Sequence, residues 1–151
     1  MYKVSPTIHG ELMLATFGQV LWVRVCDSTN REFVDMLVER VIEVTTPICD
    51  KPWVGVTDLL EWELAGPHAL AGIKPVMEWY ESHNRSYSVN LLPDYSLHNA
   101  VLNDMIKGVE RHSERIIVNS VEAAVETVCR LQPEFNPQEM QETIYGNHSR
   151  T

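Results

Sequence analysis

Residues 51–64, KPWVGVTDLLEWEL, constrain the fold more than any other stretch of the chain. An apolar run over 53–57 closes at Asp58, and a mixed acidic and aromatic segment follows. This reads as a buried central strand that runs out into a loop at its carboxyl end. In open α/β sheets that end is where ligands and partners bind. The stretch is therefore both an architectural anchor and the first place to look for function.

The elements on either side fall into a regular order. Residues 1–9 read as a loose lead-in carrying Pro6. Strand-like runs over 11–17 and 20–26 flank Gly18-Gln19, a pair suited to a two-residue type II′ hairpin turn. A helix follows, with Thr29 and Glu32 spaced as a capping box and an apolar stripe through Phe33, Leu37, Val41 and Val44. Pro47 stops it. After the central strand, Gly66-Pro67 opens a second helix, and Pro75 either kinks that helix or moves its start to Lys74. Asn84 offers a left-handed stop. A strand over 87–92, a helix with its stripe over 97–109, a short strand over 116–118 and a helix capped by Ser120 complete a domain over residues 10–131. The polar tail, 132–151, contains Asn136-Pro137-Gln138-Glu139, which predicts a short helix over 137–145 ended by Gly146.

This order predicts an α/β fold with a mixed five-stranded sheet, an N-terminal hairpin and four main helices. The strands over 20–26 and 87–92 alternate, placing Trp22, Arg24, Ser88 and Asn90 opposite the apolar side chains, whereas a sheet covered on both faces is apolar throughout. Right-handed crossovers advancing in one direction put their helices on one side. The expectation is a one-sided β-α superhelix with a partly exposed sheet face.

Composition narrows the function. One domain is the natural reading of 151 residues. A net charge of −9 without a basic run argues against nucleic acid and against an anionic membrane surface. The amino terminus has no apolar leader, and no apolar run reaches membrane-spanning length, so no membrane insertion and a cytoplasmic location are expected. Cys26, Cys49 and Cys129 are widely spaced without a CxxC pair, which suggests neither a disulfide framework nor a zinc site.

Several segments together resemble the SpoIIAA-like, or STAS-type, superfamily: the hairpin FGQVLWVRV, the strand exit KPWVGVTDLLEWEL, the Pro and Ala of GPHAL, YSLHN, and the closing VNSVEAAVETV. The resemblance covers roughly residues 10–131 and is nearest to a stand-alone bacterial branch related to the lipid-binding CRAL-TRIO domains. It implies a one-sided α/β fold and a regulatory or binding role without catalysis. Anti-sigma-factor antagonists of this superfamily carry a phosphorylatable Ser or Thr at the start of the helix after the central strand. Here that region reads Ala65-Gly66-Pro67-His68, with no Ser or Thr between Asp58 and Ser82. The kinase switch is therefore not expected.

The candidate side chains cluster near the strand exit. Asp58, Glu61 and Glu63 suit either a hard cation or acid/base work, but a Ca²⁺ loop needs more ligands and a Gly-bearing turn. The simpler account has Asp58 capping loop amides. No HExxH motif and no histidine pair at i, i+4 occurs, so no metal is expected; His68 and His98 stand out because each lies near the start of a helix after a core strand. No GxSxG elbow or phosphate loop appears. Cys26, just before a helix, is placed where a thiol pKa can be lowered, but without a placed histidine the simpler expectation is an inert thiol. Trp22, beside Arg24 on the mixed face, and Trp62, in the exit loop, are expected either as exposed aromatics that mark an interface or apolar pocket or as partly covered rings at the domain edge. Two functions follow as expectations. One is a non-catalytic regulatory module that binds a protein partner, or itself as a homodimer, through the open face and loop 58–66. The other is a binder of a small apolar ligand or lipid. Neither needs a cofactor.

Overall fold

The computed structural model describes residues 2–7, 10–63, 67–94 and 96–146, with side chains from residue 11 onward except at 67 and 96. Expectations resting on His9, His148 and residues 64–66 lie outside the described residues.

The sheet has six strands in the order β1-β2-β3-β4-β5-β6: β1 (Tyr2–Thr7), β2 (Gly10–Phe17), β3 (Val20–Cys26), β4 (Trp53–Asp58), β5 (Arg85–Leu91) and β6 (Glu114–Val118). The first three are antiparallel and β3 to β6 are parallel, so the sheet is mixed. The five expected strands are present. β1 is additional: residues 2–7 are not a loose lead-in but pair with β2, Tyr2 opposite Ala15 and Thr7 opposite Gly10. Pro6 made the segment read as irregular, yet a proline lacking its N–H is compatible with an edge strand. Gly18, at φ +52°, makes the β2–β3 turn with Phe17 paired to Val20.

α1 (Arg31–Thr45) crosses from β3 to β4, α3 (Lys74–Ser82) from β4 to β5, and α4 (Ser96–Met105) from β5 to β6. α2 (Pro67–Leu70) is a single turn before α3. Lys74 starts α3 and places Pro75 in the first turn, where its missing N–H costs nothing. Asn84, at φ +70°, follows that helix as the left-handed stop. The α1 cap is one residue later than the sequence suggests. Asn30, not Thr29, accepts the Phe33 amide, because the Thr29 hydroxyl receives the Trp62 indole N–H instead.

Phe33, Val34 and Leu37 of α1, Val76 and Tyr80 of α3 and Leu102 of α4 share one core with Leu21, Val23, Val25 and Trp53. All three crossovers thus cover the same face, as the handedness rule requires. α5 (Val121–Leu131) follows the last strand and is bound by no crossover. It packs Ala124, Val125 and Val128 against Trp22, Val54, Val56 and Val89 on the opposite face. α6 (Pro137–Gln141) and a π turn (Glu142–Gly146) extend that cover with Met140 and Ile144, both buried. The partly exposed face anticipated from strand alternation is therefore covered around Trp22.

Candidate functional site

The strand exit is held by short-range bonds. Asp58 Oδ1 accepts the Leu60 amide at 3.0 Å, the loop-capping role expected of it, and the Trp62 amide turns back to the Leu59 carbonyl. Asp27, at φ +65°, then pairs with this segment: its amide donates to Glu61 O at 2.9 Å, and its carbonyl accepts from Glu63 N at 3.1 Å. This second pairing fixes the loop. Glu61 reaches Arg24 on the α5 side, and Trp62 enters the crossover-helix core.

On the α5 side the candidate side chains Trp22, Arg24, Asp58 and Glu61 meet. Arg24 donates to Glu61 at 2.8 Å and lies 3.8 Å from Asp58, and Tyr145 from the π turn closes over them. The Tyr145 hydroxyl donates to Asp58 Oδ2 at 2.6 Å and accepts the Trp22 indole N–H at 3.0 Å, while Arg24 stacks on the Tyr145 ring. Trp22 is only 1% exposed, so it is a core residue and not the surface aromatic anticipated. Burial holds the Asp58 carboxyl above the usual carboxylate range, against the bonds from Tyr145 and Leu60 and the Arg24 charge. Burial, then the neighbouring Asp58, raises the Tyr145 phenol, which keeps its proton and donates it. Cys26 does not have the lowered thiol pKa that its position before a helix allows, and fits the inert alternative. Burial pushes its thiol up to about 12, with the Sγ 3.5 Å from Glu61, and a protonated thiol is a poor nucleophile.

On the other face Trp62 and His98 meet. Their rings pack edge to face at 6.1 Å, and His98 Nε2 donates to the Trp62 carbonyl at 3.0 Å. Trp62 is 6% exposed and faces inward, not outward as the sequence suggested. It lines an apolar cavity of about 70 Å³ with Val25, Phe33, Ile73, Met77 and Leu102. His68 joins neither group: it is exposed on α2, where its carbonyl accepts from Arg31.

Two large apolar side chains stand out among the described residues, Leu97 at 58% exposure and Ile117 at 49%. Ile117, near the end of β6, lines an open cleft of about 580 Å³ with Pro93, Asp94, Asn99 and Asn119. Leu97 is on the first turn of α4, the helix that supplies Asn99. Sequence reasoning counted Leu97 in the apolar stripe of its helix and Ile117 in a short strand without assigning it a face, so both were missed. Tyr145 was missed too; the Met140 and Ile144 pair at i, i+4 was the signal that its segment docks. Among the described residues no three His, Cys, Asp or Glu side chains converge as metal ligands, and no helix is long and apolar enough to cross a membrane.

With this geometry in hand the fold is recognisable as SpoIIAA-like. The chain is similar to an uncharacterized protein of the DUF3478 family with a SpoIIAA-like fold from Shewanella loihica PV-4, at TM-score 0.61 and 12% identity, over 83% of this chain and 98% of that one. It is also similar to an anti-sigma factor antagonist from Mycobacterium paratuberculosis, at TM-score 0.50 and 16% identity, over 78% and 92% of the two chains. No protein-family model and no curated protein matches the chain.

Proposed function

We propose that the protein is a non-catalytic interaction module whose contact surface is the carboxyl-end rim of β5 and β6. The observation that carries this reading is Ile117, exposed and lining an open cleft at that end, with Leu97 exposed on the first turn of α4, the helix that supplies Asn99 to the same cleft. Exposed aliphatic side chains grouped at the functional end of an α/β sheet mark a partner surface. The likeness to an anti-sigma factor antagonist supports a protein as the partner. The exposed face first assigned this role is covered by α5 and α6, which leaves the rim. Substitution of Leu97 and Ile117 by Asp should leave thermal stability within about 0.5 kcal/mol. The variant should lose proteins that the wild type retains in a quantitative affinity capture, or lose concentration-dependent association in sedimentation equilibrium. Identical captured proteins and a monomer at every concentration for both chains would exclude the rim.

A second reading rests on the apolar cavity beside Trp62, which supports a small apolar ligand. At about 70 Å³ it is less than half the ~150 Å³ that admits benzene. A lipid tail therefore requires α3 or α4 to move. Native mass spectrometry of freshly purified protein should then show a bound apolar species, and a bare chain mass throughout would remove this reading.

A further inference from the structure

Between α3, α4 and the facing side of β5 and β6, a second cavity is lined by Arg85, Arg111 and Arg115 with Ser88, Asn90 and Ser113, over an apolar floor that includes Leu102 and Ile106. Three guanidinium groups converge here in a chain of net charge −9. The one carboxylate in the wall is fully committed. Glu81 Oε1 accepts from Arg85 at 2.9 Å and from the Ser113 hydroxyl, and Oε2 accepts the amides of His112 at 2.7 Å and Ser113 at 2.9 Å. Four donors on one carboxylate fill its acceptor capacity.

That leaves the other two cations uncompensated. Arg115 donates to the neutral amide oxygens of Asn103 at 2.7 Å and Asn99 at 3.4 Å. Among the described residues no carboxylate lies within salt-bridge distance of Arg111 or Arg115. The Nε atoms of Arg85 and Arg115 are buried without a hydrogen-bond partner. Partial burial and the charge of Arg111 together disfavour the protonated form of Arg115. A half-buried guanidinium facing a second one, with only amide oxygens to meet it, is the environment an anion relieves.

We infer that this cavity is an oxyanion site, in which Arg115 and Arg111 hold a phosphate or carboxylate group against the polar wall of Ser88 and Asn90. The cavity, about 20 Å³, has room for one or two oxygen atoms. The rest of the group extends toward the mouth, where Arg111 is exposed. The site adjoins the Leu97 and Ile117 rim through Asn99, which accepts from Arg115 and lines the open cleft, but phosphate binding does not require the rim to hold a partner.

The test is thermal unfolding of the full chain titrated with inorganic phosphate at constant ionic strength, chloride replacing phosphate. The wild type should show a saturable rise in Tm, and Arg115→Gln should raise the apparent Kd at least tenfold. Arg111→Gln, an exposed substitution that leaves the core intact, should weaken binding severalfold. Phosphorus NMR should show broadening of the phosphate resonance with wild type and its loss with Arg115→Gln. A non-saturating rise shared by all three proteins, the general stabilisation that phosphate gives by exclusion, overturns the site. So does no rise at all, or an equal rise with chloride.

Discussion

Tyr145 joins more of the molecule than any other side chain in the candidate cluster. Its hydroxyl is the shared partner of a buried indole N–H and a buried carboxylate. Tyr145→Phe keeps the ring against Arg24 but leaves both partners unsatisfied. It should cost about 2 kcal/mol, measured by urea denaturation at pH 7; a change under about 0.5 kcal/mol would show that water replaces the hydroxyl without loss. Glu81 makes a prediction in pH. Its burial opposes ionisation, but the bonds from Ser113, His112 and Arg85 outweigh it and hold the carboxyl down at about 2, from an ordinary value of 4.5. A lowered folded-state pKa stabilises above the unfolded value and that stability is lost on acidification. The wild type should therefore lose stability between pH 4.5 and about 2. Glu81→Gln should be less stable by about 3 kcal/mol at neutral pH, and the gap should narrow across that window. A gap independent of pH would disprove the linkage.

At the level of elements, most of the fold could be read before the structure. Hydrophobic periodicity and caps reflect local physics, so the hairpin, the Ser120 and Asn136 caps and the start at Lys74 were all legible. The failures share one cause, which is packing between distant segments. Trp22 and Arg24 alternate with apolar neighbours as an exposed face does, and the packing of α5 together with the docking of 137–146 converts that pattern into burial. Trp62 sits in a polar loop, and only the Asp27 pairing turns it inward. Sequence reasoning placed Trp22 and Arg24 on a mixed strand face and Asp58 and Glu61 at the strand exit, and only long-range packing brings these four side chains together under a cover. Ending the chain at Gln132 removes the cover. The truncated protein should keep its sheet by far-ultraviolet circular dichroism, red-shift its tryptophan emission and lose about 5 kcal/mol from the burial of Met140 and Ile144 and the Tyr145 bonds. Unchanged emission would mean that α5 alone shields Trp22.

Across the whole molecule, the strands lie in space in the order in which they occur along the chain. Each strand can add to a neighbour that already exists, with only a turn or a short helical crossover to close, so the sheet assembles by local steps. The contacts of Tyr145 are the opposite, reaching back 123 residues to Trp22 and 87 to Asp58. On a ribosome these bonds form last, onto the oldest part of the sheet. Tyr145→Phe should accordingly leave the refolding rate nearly unchanged and place its full cost in faster unfolding, which a chevron plot reads directly. Until residue 145 emerges, the Trp22 indole N–H and the Asp58 carboxylate lack the hydroxyl that joins them in the finished protein, so the π turn closes the polar part of a face that α5 has already begun to cover.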